Sequence, residues 1–137
     1  MTSTPPQSTG ATVDAFFERF GSGDLPAMID LFADTVDFRI DGSPQVPWTG
    51  RRATPTEIRE FFELFPKVLT APQSFALHTR LIDGTEAVVT AEGVFGVLAT
   101  GHTFTNRYAL HFTVTDGRIT RYHMYEDSYA IAQAFTP

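Results

Sequence analysis

Four side chains in the last third of the chain could together move a proton and hold an oxygen: Glu126, Asn106, Tyr108 and Tyr122. A carboxyl taken out of water has its pKa raised toward neutrality, where it serves as a general acid or base. The rival reading of Glu126 is a strand-end carboxylate in solvent or in a salt bridge with Arg107. Asn106 is the only asparagine in the chain and falls in a strand-like segment, where asparagine is disfavoured. It either orients Glu126 or a substrate oxygen, or it satisfies backbone groups near the turn at Gly101. Tyr108 and Tyr122 can donate to an enolate oxygen as charge develops, or they are packed rings with the hydroxyl at the edge. Asp41, just past an early strand, is a second acid near the expected mouth, although Asp41-Gly42 also suits an ordinary turn.

Whether Glu126 faces inward depends on one turn. From Phe104 to Val114 alternate residues are mostly apolar, and the segment Ile119 to Glu126 returns after Thr115-Asp116-Gly117. A two-residue Asp-Gly loop would set Leu110 opposite His123 and Arg107 opposite Glu126. A three-residue loop with Gly117 as a bulge sets Leu110 opposite Tyr122, Tyr108 opposite Met124 and Asn106 opposite Glu126. A slip of one residue exchanges the faces, and only the second register merges the apolar sets. The expectation is therefore the three-residue loop, with Glu126 turned inward beside Asn106.

The elements that must position these groups follow from local pattern. Residues 1–11 are poor in apolar area and read as a loose tail, ahead of one domain over 12–137. Thr12 caps a helix from Val13 to Phe20 bearing Phe16, Phe17 and Phe20 on one stripe, and Asp24 caps a short second helix. Val36 to Ile40 reads as a strand, and Asp41 to Ala53 as a loop carrying Trp48. Thr54-Pro55-Thr56-Glu57 is a strong helix start. That third helix buries Ile58, Phe61, Phe62 and Phe65 and stops at Pro66. Strands follow at Phe75 to Ile82, Ala87 to Ala99 and then the pair above, before a final helical turn from Asp127 or Ser128 through Phe135. Helices on one face of a curved sheet make an α+β fold. Phe16, Phe20, Phe62, Leu110 and Met124 would line an apolar hollow, with Trp48 either a lid at its mouth, the preferred reading, or a simple cap on the core.

At 137 residues, with 13 Phe, four Tyr and one Trp, the chain holds more aromatic area than a minimal core needs. A net charge of −6 and a pI near 5.0, without a stripe of Lys or Arg, argue against a nucleic-acid partner. No segment suggests a membrane span or a leader, and the absence of cysteine excludes thiol chemistry and disulfides. A cytoplasmic setting is the default expectation. His78, His111 and His123 share the polar parity of their strands and are expected on the outer sheet face. None has metal-ligand spacing, so no metal and no cofactor are expected. The expected ligand is an apolar small molecule.

The chain resembles the nuclear-transport-factor-2-like superfamily, and within it the SnoaL-like group. The resemblance rests on Gly23-Asp24-Leu25, Leu31-Phe32-Ala33-Asp34, Pro47-Trp48-x-Gly50, Asn106-Arg107-Tyr108, Asp116-Gly117-Arg118-Ile119 and Tyr125-Glu126-Asp127. It implies a cone-shaped, curved mixed sheet with three N-terminal helices on its concave face, enclosing an apolar pocket. It also implies homodimers built through the outer sheet face. Activities implied include isomerisation, polyketide cyclisation, dehydration and epoxide hydrolysis, alongside ligand binding without chemistry and protein interaction through the outer sheet face. Where the steroid isomerases of this fold carry their three polar groups, this chain has Phe16, Ile40 and Leu110. At the charged positions of limonene-type epoxide hydrolases it has Tyr108, Leu110 and Met124. Neither mechanism transfers, which favours a binding module; the leading expectation, resting on the inward register of Glu126, is acid/base chemistry on a polyketide, terpenoid or steroid-like compound.

Overall fold

The computed structural model describes residues 8–137. In order its elements are α1 (Thr9–Gly21), α2 (Leu25–Ile29), β1 (Phe32–Ile40), β2 (Gly50–Arg52), α3 (Pro55–Val68), β3 (Ser74–Asp83), β4 (Glu86–Gly96), β5 (Thr103–Thr115), β6 (Arg118–Tyr125) and α4 (Ser128–Ala134). The strands form one curved, unclosed sheet in the order β2-β1-β6-β5-β4-β3. It is mixed because β1 runs parallel to β6, while every other neighbouring pair is antiparallel.

Caps explain most of the helix starts. Ser8 accepts from the Ala11 N–H at 3.1 Å, so α1 begins at Thr9 rather than after a Thr12 cap, and residues 8–11 are not part of a loose tail. The rest of that expected tail, 1–7, lies outside the described residues. Asp24 and Asp127 cap α2 and α4 as their sequences indicate. Thr54 caps α3 by accepting from the Glu57 N–H at 3.3 Å, while Glu57 accepts from the Ala53 N–H. α3 runs past Pro66 to Val68, because the Leu69 N–H still reaches the Phe65 carbonyl at 2.8 Å. Pro66 removes only one donor there, close enough to the helix end to be tolerated.

α1 and α3 lie against the sheet, and α2 rests mainly on these two helices. Between the layers sits an aromatic core. The Phe38 and Tyr122 rings stack 4.6 Å apart, as the β1–β6 register places them side by side. Phe16 meets Phe112 edge-on at 5.3 Å. Each such ring contributes roughly 1.5–3 kcal/mol by leaving water. β2, read in the sequence as loop, pairs Arg52 with Phe38 and sets the Arg52 guanidinium 4.8 Å above the Phe61 ring.

The hairpin turn differs from expectation in its device but not in its result. Thr115 pairs with Arg118 around a two-residue loop in which Asp116 (φ 51°) and Gly117 (φ 75°) are both left-handed. A bulge follows: Val114 pairs with Ile119 but Thr113 with Arg121, so Thr120 is the extra residue. The pairs are therefore Leu110 with Met124 and Phe112 with Tyr122, rather than Leu110 with Tyr122, Tyr108 with Met124 and Asn106 with Glu126; Asn106 reaches Glu126 diagonally, through its side chain. The bulge reverses the alternation along β6, so Ile119, Tyr122 and Met124 all face the core, and Glu126 follows them inward. The intervening residues put His111 and His123 on the outer face, each 2.9 Å from a carboxylate oxygen, of Glu86 and Asp37 respectively. Because an L side chain resists the left-handed region, Gly117→Ala is expected to cost about 1–2 kcal/mol, read as a lowered urea midpoint with an unchanged slope.

Candidate active site

Between the helices and the sheet lies a cavity of about 640 Å³. Its exposed lining residues, among them Phe20, Pro66, Pro72, Phe75 and Leu77, gather where the ends of α1 and α3 face β3, and this is the mouth. At the other end Trp48, Asn106, Tyr108, Tyr122 and Glu126 meet. Trp48 is thus not a lid: it is 1% exposed and packs against Phe65 and Phe135 at the closed end. β2 explains its placement, since Arg52 Nη1 donates to the Trp48 carbonyl at 2.9 Å.

The indole Nε1–H of Trp48 points at both carboxyl oxygens of Glu126, 3.2 Å from Oε1 and 3.0 Å from Oε2. Asn106 Nδ2 donates to Oε1 at 3.1 Å, and its Oδ1 accepts from the Asp127 N–H at 3.3 Å. The amide is therefore fixed at both ends and its direction is not arbitrary. Asp127 in turn caps α4 through the Ala130 N–H at 3.2 Å. Asn106 thereby ties the end of β6 to the start of the last helix while holding the carboxyl.

Removal from water is the largest influence on Glu126 and raises its pKa from 4.5 to about 7. The Trp48 and Asn106 hydrogen bonds pull the other way, because they favour the charged form. Burial and the nearby Glu126 charge push the Tyr108 hydroxyl up, and burial raises that of Tyr122 well above its ordinary range. Both tyrosines stay protonated wherever Glu126 titrates. Neither hydroxyl has a hydrogen-bond partner among the described residues, and both line the cavity.

The structure brings together Glu126, Asn106, Tyr108, Tyr122, Phe16, Phe20, Trp48, Phe62, Leu110 and Met124 around one space. It leaves out Asp41, which is exposed and 3.3 Å from Arg39 Nε. Arg107 lies on the opposite face beside Glu92, so it is not a partner of Glu126. Phe75, Leu77, Phe95 and Phe104 also line the cavity and were not singled out from the sequence. Phe104 shares the inward parity of Asn106 and Tyr108 on β5, whereas the facing of Phe75, Leu77 and Phe95 depends on the Asp83-Gly84 turn between β3 and β4, which the sequence allows in two registers. Gly93, paired with both Phe75 and Asn106, leaves the room that the Phe95 ring occupies against β4. A Cβ there would sit 2.6 Å from that ring. Among the described residues no group of three or more His, Cys, Asp or Glu could hold a metal ion.

Residues 13–122 match the sequence profile of the SnoaL-like domain. The chain belongs to that family. Solved structures agree at the level of the fold. An NTF2-like protein from Burkholderia thailandensis is 20% identical and superposes with a TM-score of 0.84, over 96% of this chain and 99% of that one. TerC, co-crystallised with polyporic acid, is 21% identical with a TM-score of 0.77, over 94% and 98%. A candidate polyketide cyclase from Pseudomonas putida is 18% identical with a TM-score of 0.73, over 93% and 98%. Identities this low carry the fold and not the chemistry. Comparison with curated proteins gives no match. No helix among the described residues is long and apolar enough to cross a membrane.

Two measurements check this SnoaL-like site. Folded Glu126 holds its proton more tightly than the unfolded chain does, so its contribution to stability is full below pH 4.5 and is lost as pH rises through about 7. The loss should be about 3 kcal/mol, and Glu126→Gln should remove that slope from urea unfolding measured across the window. Gly93→Ala should fold, and its crystal structure should show the Phe95 ring turned off β4 into the cavity. A ring still in place over a bowed strand would be the contrary result.

Proposed function

We propose that this SnoaL-like protein is a cofactor-independent enzyme that uses Glu126 for acid/base chemistry on an apolar, oxygenated small molecule. The observation that carries the reading is a single carboxyl held by two neutral donors at the closed end of an aromatic cavity, with a pKa of about 7. A base poised there is ionised in a large fraction of molecules at neutral pH, yet strong enough to take a proton from carbon beside a carbonyl. Tyr108 and Tyr122 would donate to the oxygen on which charge develops. Returning the proton at another position gives isomerisation, and expelling a hydroxyl or closing a ring gives the other outcomes. Trp48 and Asn106 would keep the carboxyl aimed, and the aromatic walls would hold the body of a polyketide, terpenoid or steroid-like compound.

A binding module without chemistry is the second reading. Its support is that Phe16, Ile40 and Leu110 leave the sheet and first helix without the polar groups of the isomerases of this fold. Proton exchange separates the two. The α-protons of 2-tetralone, a neutral bicyclic ketone, should exchange into D2O under catalysis by the wild-type protein, followed by NMR. The rate should rise with pH to a plateau with its midpoint near 7, and Glu126→Gln should lower it by about 10²–10⁴-fold. Binding of the ketone with no exchange above the Glu126→Gln rate would leave the module.

A further inference from the structure

The cavity wall is uneven in polarity and one-sided in charge. Its polar groups gather at the closed end, apart from Thr70 at the mouth, and none of the described lining residues is Arg, Lys or His. The one ionisable group that charges near neutrality is an acid. Trp48 and Asn106 take up part of the accepting capacity of Glu126, with both donors bonded to Oε1 and only Trp48 to Oε2. Two lone pairs per oxygen therefore leave an accepting position free on Oε2, and Glu126 lines the space. The Tyr108 and Tyr122 hydroxyls line the same space, near enough to feel the Glu126 charge; without partners among the described residues, they can donate or accept.

From this arrangement we infer that the site selects a neutral ligand with a single oxygen terminus, an enol, phenol or alcohol, and rejects the carboxylate of the same shape. A hydroxyl satisfies the end of the cavity completely: its O–H donates to Glu126 while its oxygen accepts from a tyrosine. A carboxylate brings a second negative charge to a carboxyl already out of water, with no cation to offset either. Two carboxylates sharing a site cannot both stay ionised without a large penalty. The inference rests on the reading of this cavity as the ligand site, but it concerns binding alone. It also fixes what the neighbouring reactions must handle: acids would have to be esterified, reduced or decarboxylated before they enter.

Calorimetric titration with three probes of one size tests this: 2-naphthol, 2-naphthoate and 2-methylnaphthalene. At pH 8 the naphthol should bind about 30-fold more tightly than the naphthoate, and more tightly than the hydrocarbon, which lacks the polar end. Glu126→Gln should narrow the gap between naphthol and naphthoate, since the amide is uncharged and can donate to the acid. Far-UV circular dichroism should show that variant folded. Naphthoate binding as well as naphthol, or neither naphthol nor hydrocarbon binding, would overturn the inference. Selective naphthol binding in a protein that fails to exchange tetralone protons would sink the enzymatic reading and leave this one standing.

Discussion

Everything in the site depends on which way the last strand faces, and that is decided by one surplus residue. Without the bulge at Thr120, a strand that buries Ile119 would also bury Arg121, His123 and Tyr125. Three polar or half-polar groups would then be forced against Phe16 and Phe112. With it, Ile119, Tyr122 and Met124 join the core and the carboxyl of Glu126 follows. The same shift sends Arg121 and His123 to the outer face, where Asp37 and Glu86 receive them.

Once inside, the carboxyl is held in a balance of opposed effects. Loss of hydration favours the neutral acid, and the indole and amide donors favour the anion. Full charged partners such as arginine would have driven the pKa down and left a weak base. No donors at all would have left a permanently protonated acid. Two neutral donors bring it to the middle of the scale. The tyrosines are not drawn into this network and keep their hydroxyls for whatever enters the cavity.

Much of this was legible in the sequence because it depends on near neighbours along the chain. Thr54 with Glu57, Asp24 and Asp127 mark their helices by chemistry confined to four residues. The inward set of β5 follows from alternation; that Asn106 and Glu126 share the inner face near the end of the hairpin follows too, although they meet diagonally and not as a cross-strand pair. What escaped depends on distant contacts. β2 is three residues long and exists through its pairing with β1, and β1 finds β6 across most of the chain. Trp48 on a Pro- and Gly-rich loop reads as a lid, yet Arg52 donates to its carbonyl and Glu126, 78 positions away, receives its N–H. The turn's loop length is not legible locally because Asp116 and Gly117 suit both lengths, and nothing local announces that Thr120 is the unpaired residue.

Trp48 is also the only indole in the chain, and its N–H ends on the one acid whose ionisation governs the site. An excited indole responds to charge placed against its ring nitrogen, so the intrinsic emission of the native protein carries the protonation state of Glu126. The chain therefore contains its own optical readout of a single carboxyl, with no label attached and no competing tryptophan signal to subtract.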